Sequence, residues 1–185
     1  MRLRHALIAT LLGVVAAACS NQDNLLQPTS ENFVDTVTLG ALHGTSISLA
    51  SGYSVAAAAP IRTDISSAFD FVYDLDSAGT PGFYPAAVLG VIPAAKTNPG
   101  LQRSDLPFDS ITIAKSNGYI TDSVLAVDTG DVFIARSRIS CSIGVPLYAK
   151  LRILSVDTAA KSVVFEILND GNCGYRGLEP GLPAH

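Results

Sequence analysis

The segment from Leu147 to Leu168 constrains the fold more than any other. Leu147, Ala149, Leu151 and Ile153 alternate with residues that include Lys150 and Arg152, and Val163, Phe165 and Ile167 alternate around Glu166. A period of two puts the apolar set on one face and the charged set on the other, as in a half-buried strand. Asp157-Thr-Ala-Ala-Lys161 lies between the two runs, so residues 147–156 and 162–168 are predicted to form a hairpin with a five-residue connection. Val132 to Arg138 supplies a third strand, preceded by Asp128-Thr-Gly-Asp131 as a turn. The expectation is an antiparallel meander.

Strand signals extend upstream. Phe33 to Leu39 is β-branched and alternating, and Ser46 to Leu49 and Tyr53 to Ala59 follow, split by Ser51-Gly52 as a turn. In Phe69 to Leu75, Phe69, Phe71, Tyr73 and Leu75 are expected on a buried face and Asp70 and Asp74 on a wet one. Asp109 to Ala114 and Ser123 to Val127 also read as strands. Residues 77–107, rich in proline and glycine, read as a long irregular excursion with a helical turn around Ala86 to Leu89. Loops of that length are either binding elements or plain packed surface. The tail after Cys173 has too much glycine and proline for regular structure, and is expected to pack as coil through Tyr175 and Leu178 and then fray. No internal repeat, low-complexity tract or heptad pattern occurs. The predicted fold class is all-β, a single antiparallel β-sandwich or meander-type domain over residues 33–185.

The N-terminus has a different character. MRLRHALIATLLGVVAAA begins with Arg2, Arg4 and His5, continues through an apolar run from Ala6 to Val15, and ends in small residues before Cys19. That is the layout of a secretory signal peptide over residues 1–18. The apolar run is too short to span a bilayer, which takes roughly 20 residues, because Ser20, Asn21, Gln22 and Asp23 follow at once. Ala16-Ala17-Ala18-Cys19 resembles the lipobox of bacterial lipoproteins, although Leu is commoner three positions before the cysteine. The resemblance implies diacylglycerol and palmitate on Cys19 and anchoring at the cell envelope. Ser20, where family members kept at the inner membrane often carry Asp, favours the outer membrane, on its periplasmic or surface face. Acyl chains contribute about 0.8 kcal/mol per buried CH₂, enough for stable anchoring. Residues 19–32 then serve as the lipidated N-terminus and polar tether.

With Cys19 assigned to lipid, Cys141 and Cys173 remain as an even pair in an oxidising compartment, and a disulfide is expected. In the meander both lie just past the same ends of the two outer strands, about 10 Å apart across the central one, within reach of short extensions. Removing the leader takes two arginines with it and leaves ten basic against sixteen acidic residues. A weakly acidic chain argues against nucleic acid and anionic headgroups as partners.

Catalytic patterns are sparse. His43, in Leu42-His43-Gly44-Thr45, is the one internal candidate for a general base, and the chain has neither a G-x-S-x-G elbow nor an S-x-x-K pair. Asp74 and Asp76 begin like a calcium loop, but the fifth position is Ala78 and the twelfth is Pro85, so a turn after a strand explains them better. Asp128 with Asp131, and Asp105 with Asp109, are carboxylate pairs of the kind glycosidases use, and also of the kind turns use. Tyr119, Tyr148 and Tyr175 with Arg136, Arg138, Arg152 and Arg176 form a candidate binding face, or amphipathic cover on a sheet. No cofactor and no catalytic set is expected, and no metal beyond the Asp74 and Asp76 calcium candidate.

Gly130-Asp-Val-Phe-Ile-Ala-Arg136, Tyr148-Ala-Lys-Leu-Arg-Ile153 and Phe69-Asp-Phe-Val-Tyr-Asp-Leu75 together resemble the strand pattern of HmuY-type lipoproteins, which are all-β, surface-attached haem-binding proteins. The resemblance implies the fold and the lipoprotein status. It does not carry haem binding, because paired ligating histidines are needed and the domain has His43 and a terminal His185. The expectation is a non-enzymatic envelope lipoprotein that binds a small molecule, glycan or protein. An envelope hydrolase or carbohydrate-active enzyme is the rival, and a purely structural envelope protein the third alternative.

Overall fold

The computed structural model describes residues 27–184 other than 93, 94 and 96. The predicted leader, Cys19, most of the tether and His185 lie outside the described residues. Among them the strands, in chain order, are β1 (Val34–Gly40), β2 (Gly52–Ser54), β3 (Ala59–Ile61), β4 (Phe71–Leu75), β5 (Pro81–Pro85), β6 (Gly100–Ser104), β7 (Leu125–Ala126), β8 (Val132–Ile139), β9 (Pro146–Asp157) and β10 (Ser162–Asp170). They form two five-stranded sheets, ordered β1-β10-β9-β8-β6 and β3-β2-β4-β5-β7, with every pairing antiparallel. The predicted meander is the centre of the first sheet. The predicted hairpin is present, with a register shift at Val164/Phe165.

The sheets meet through aromatic side chains. Phe83 of β5 lies 4.9 Å from Phe71, 6.3 Å from Tyr73, 5.7 Å from Phe133 and 6.0 Å from Phe165, so one ring touches both layers. Leu147, Ala149, Leu151, Ile153, Val163, Phe165 and Ile167 all enter this core, as their alternation predicts. Tyr53 also enters, and its hydroxyl accepts a hydrogen bond from Asn169 Nδ2 at 2.8 Å. Burial pushes the Tyr53 hydroxyl pKa up to about 12.

Several expectations are corrected. First, the outer faces are only partly wet. Val72 packs with Phe69 and Ala86, while Asp70 and Asp74 are buried. Asp70 accepts from Val55 N at 2.8 Å and from Arg138 N at 3.0 Å, tying β4 to the end of β8. Burial, opposed by these donors and by the Arg138 charge, raises the Asp70 carboxyl above its ordinary value. On the first sheet a second cluster holds Phe108, Ile111, Tyr148, Leu168 and Leu178. Buried Lys150 donates to Phe108 O at 3.0 Å and Ile111 O at 2.9 Å, which fastens that cover to the sheet. Second, the 77–107 excursion contains β5 and β6, although a turn does occupy 86–90. Third, Asp109 to Ala114 is a 3-10 turn, Phe108–Ser110, followed by coil, and Ser46 to Leu49 is a turn. The run expected as one strand over 53–59 is instead the β2–β3 hairpin, turning at 55–58.

Both chain ends are pinned at one end of the sandwich. Asn172 Oδ1 accepts from Thr29 N at 2.8 Å and Ser30 N at 3.0 Å. Asn32 and Gly181 exchange backbone hydrogen bonds, so the tail is held beyond Leu178 instead of fraying there. Asp170 supports Asn172 through Oδ1, which accepts from its N and Nδ2, both at 2.9 Å. Asp170 is fully buried, and Oδ2 has no hydrogen-bond partner among the described residues. Burial therefore raises its carboxyl above the ordinary value of 3.8, against the lowering by Asn172. A raised folded value means that the stability from this group is complete below the unfolded value and is lost as pH rises through the folded one. Asp170→Asn keeps the acceptor and removes the titration. It should match the wild type in acid and exceed it at neutral pH, as measured by urea midpoints; a pH-independent difference would contradict the assignment.

Candidate functional site

The structure does bring the one candidate base to an acid. His43 Nδ1 lies 2.5 Å from Asp74 Oδ2, and His43 N donates to Asp74 Oδ1 at 3.1 Å. The pairing follows from β4, which carries Asp74 to the turn after β1, where Leu42 N donates to Tyr73 O. The imidazole is 80% exposed, however, and stands on open surface. A Ser-His-Asp mechanism needs a nucleophile on the second imidazole nitrogen, and no hydroxyl or thiol among the described residues is hydrogen-bonded to it.

Asp76 and Asp131 are engaged as turn caps. Asp76 Oδ1 accepts from Ala78 N and Thr80 N, both at 2.8 Å, and the Thr80 N–H foremost holds its pKa below the ordinary carboxylate value. With Asp74 on His43, the calcium candidates Asp74 and Asp76 each serve a different partner. Asp131 Oδ2 accepts from Asp128 N at 2.7 Å, and its other oxygen pairs with Arg103. Among the described residues no group of three His, Cys, Asp or Glu is placed to hold a metal ion. Cys141 and Cys173 form the predicted disulfide, with a Cα–Cα distance of 5.8 Å.

The tyrosine and arginine set is partly assembled and mostly covered. The Arg136 guanidinium stacks 4.6 Å from the Tyr119 ring, which lies 6.1 Å from Tyr148. Arg136 and Tyr148 are buried, so this stack belongs to the packing under residues 105–122. Burial raises the Tyr119 hydroxyl above its ordinary value. Arg138 serves Asp70, Arg152 pairs with Glu166 at 2.5 Å, and Arg176 donates to Ala114 O at 3.2 Å. Tyr175 is buried, with its N donating to Asn172 O at 3.1 Å.

One cavity of small-molecule size adjoins the 77–107 excursion, near which a binding patch is expected. It is a groove of about 440 Å³ between β6 and the segment 104–115. Ile111, Ile134 and the exposed Leu106 and Ile113 make its apolar walls, with Gln102, Asp105 and Lys115 at its margins. Gln102 Oε1 is buried and has no hydrogen-bond partner among the described residues. The groove exists because β6 is the edge of its sheet and the chain after it folds back over the outer face, held by Lys150. Residues 102–104 come from the end of the 77–107 excursion, so that segment contributes one wall. The only sequence signal for it is the excursion's length.

Comparison of the chain with family models, with curated proteins and with solved structures gives no match in any of the three.

Proposed function

We propose that this protein is a lipid-anchored cell-envelope lipoprotein whose β-sandwich is a non-enzymatic binding module, with its ligand in the groove beside β6. The observation that carries the binding role is the groove: about 440 Å³ and mainly apolar, with Asp105 and Lys115 at its margins. That size lies in the small-molecule range of roughly 300–1,000 Å³ and suits a small molecule, a sugar unit or a short peptide segment with an apolar body and a polar end. The leader and Cys19 support the anchor and the outer-membrane address. A hydrolase has less support, because His43 is 80% exposed and no hydroxyl or thiol among the described residues is hydrogen-bonded to its imidazole.

The test uses the full chain in a bacterial host fed a palmitate analogue, with Cys19→Ser and Leu106→Asp/Ile113→Asp as variants. The wild type should take up label and Cys19→Ser should not. As baits in envelope extract, the wild type should retain a species that the groove variant loses. Equal capture by both would move binding away from the groove, and label on Cys19→Ser would remove the anchor. Deleting residues 77–107 would be uninformative, since β5 lies inside one sheet and β6 at the edge of the other.

A further inference from the structure

We propose that the disulfide end of the sandwich rests on the bilayer that holds the Cys19 lipid, with Phe33 entering the interface. This placement rests on the lipid anchor proposed above.

The strand directions define the two ends. Ile139 pairs with Pro146, and Val34 with Leu168, at the end that carries Cys141, Cys173 and Asn172. Ser162 pairs with Asp157, and Gly40 with Ser162, at the far end. Because Asn172 grips Thr29 and Ser30, the chain leading back to Cys19 leaves from the disulfide end. Cys19 and Thr29 are ten residues apart, a reach of at most about 35 Å. The twelve-residue β9 spans about 36 Å, as long as the fully extended tether. The disulfide end is therefore held within about 35 Å of the membrane.

Apolar side chains are exposed at both ends, Ile47 and Leu49 after β1 among them, so the exit of the tether decides which end faces the bilayer. Phe33 is 69% exposed, and Ile139, Ile143 and Leu182 are exposed toward the same end: Ile139 at the end of β8, Ile143 in the loop after Cys141, Leu182 beside Gly181. Glu31 and Asp35 flank Phe33 and keep the contact shallow. Apolar side chains at such an interface sit about 5–10 Å into the headgroup and acyl boundary. This orientation leaves the groove accessible, since its Ser104 wall pairs with Val132 at the far end.

The chain has no tryptophan, so a single introduced indole reports on its own position. Phe33→Trp and Leu154→Trp, each in the full chain carrying its own leader, are reconstituted into phosphatidylethanolamine and phosphatidylglycerol vesicles brominated near the top of the acyl chains. The Phe33→Trp fluorescence should be quenched about twofold, in keeping with shallow insertion, and the Leu154→Trp fluorescence should keep its intensity. Protein that floats with the vesicles while the Phe33→Trp reporter is unquenched overturns the placement and leaves the anchor standing. A blue-shifted but unquenched signal from that reporter overturns it in favour of a contact between two copies. Protein that does not float and has an unmodified Cys19 by mass overturns the anchor itself, and the placement with it.

Discussion

Phe83→Ala should destabilise the domain by about 3–5 kcal/mol, the usual range for emptying a large aromatic from a packed core. Phe83 is fully buried, and its ring neighbours come from both sheets: Phe71 and Tyr73 on β4, Phe133 on β8 and Phe165 on β10. Removing it opens a void where the layers meet, and the flanking rings cannot close that void without moving two sheets. Edge-to-face aromatic contacts add about 0.5–1.5 kcal/mol per pair beyond area, so the upper part of the range is expected. For a chain of this size a loss of that order lowers the thermal midpoint by roughly 10 °C. Phe33→Ala is the matched control: an aromatic deletion at an exposed site should change the midpoint in solution by about 1 °C or less. Equal effects of the two substitutions would mean that the core is not centred on Phe83.

The central place of Phe83 is not legible from its surroundings in sequence. It sits in Pro81-Gly-Phe-Tyr-Pro85, and two prolines with a glycine are ordinary loop punctuation. In the structure the prolines occupy the first and last positions of β5, where a missing N–H is tolerated. Gly82 sits close under a neighbour, since a Cβ there would lie 2.7 Å from Val124 Cγ1 and 3.3 Å from Leu125 O. Gly100 has the same role in β6, where a Cβ would lie 2.4 Å from Ile120 O. By contrast, β9 and β10 are legible because their alternation is uninterrupted and both inner faces meet one continuous core. Alternation misplaces Asp70 and Asp74 onto a wet face for a different reason. Their partners, Arg138 and His43, are distant in the chain, and no local period reports them. The groove is hidden likewise, since it arises from how residues 104–115 fold back over an edge strand. The disulfide is legible by counting, once Cys19 is set aside for lipid.

Reducing the Cys141–Cys173 bond, or replacing both cysteines by serine, should cost roughly 3–4 kcal/mol for a loop closed over a separation of 32 residues. In the chain-entropy account most of this acts on the unfolded chain, where the bond restrains the segment that becomes β9 and β10. The sheet signal of the folded variant should therefore match the wild type, while the denaturant slope rises, because the freed unfolded chain exposes more surface. A smaller native effect is expected at the corner where Cys173 adjoins Asn172, the residue that holds Thr29 and Ser30. Phe83→Ala acts on the folded state and the cross-link mainly on the unfolded one, so the two losses should add. Their sum, roughly 6–9 kcal/mol, consumes the stability of an ordinary domain, about 5–15 kcal/mol, at its lower end. The Phe83→Ala chain should accordingly fold when oxidised and unfold on addition of reductant, while the wild type survives both. Urea titrations of the four states, oxidised and reduced, measure this directly. If the reduced wild type kept its oxidised midpoint, the disulfide would contribute nothing to the fold it closes.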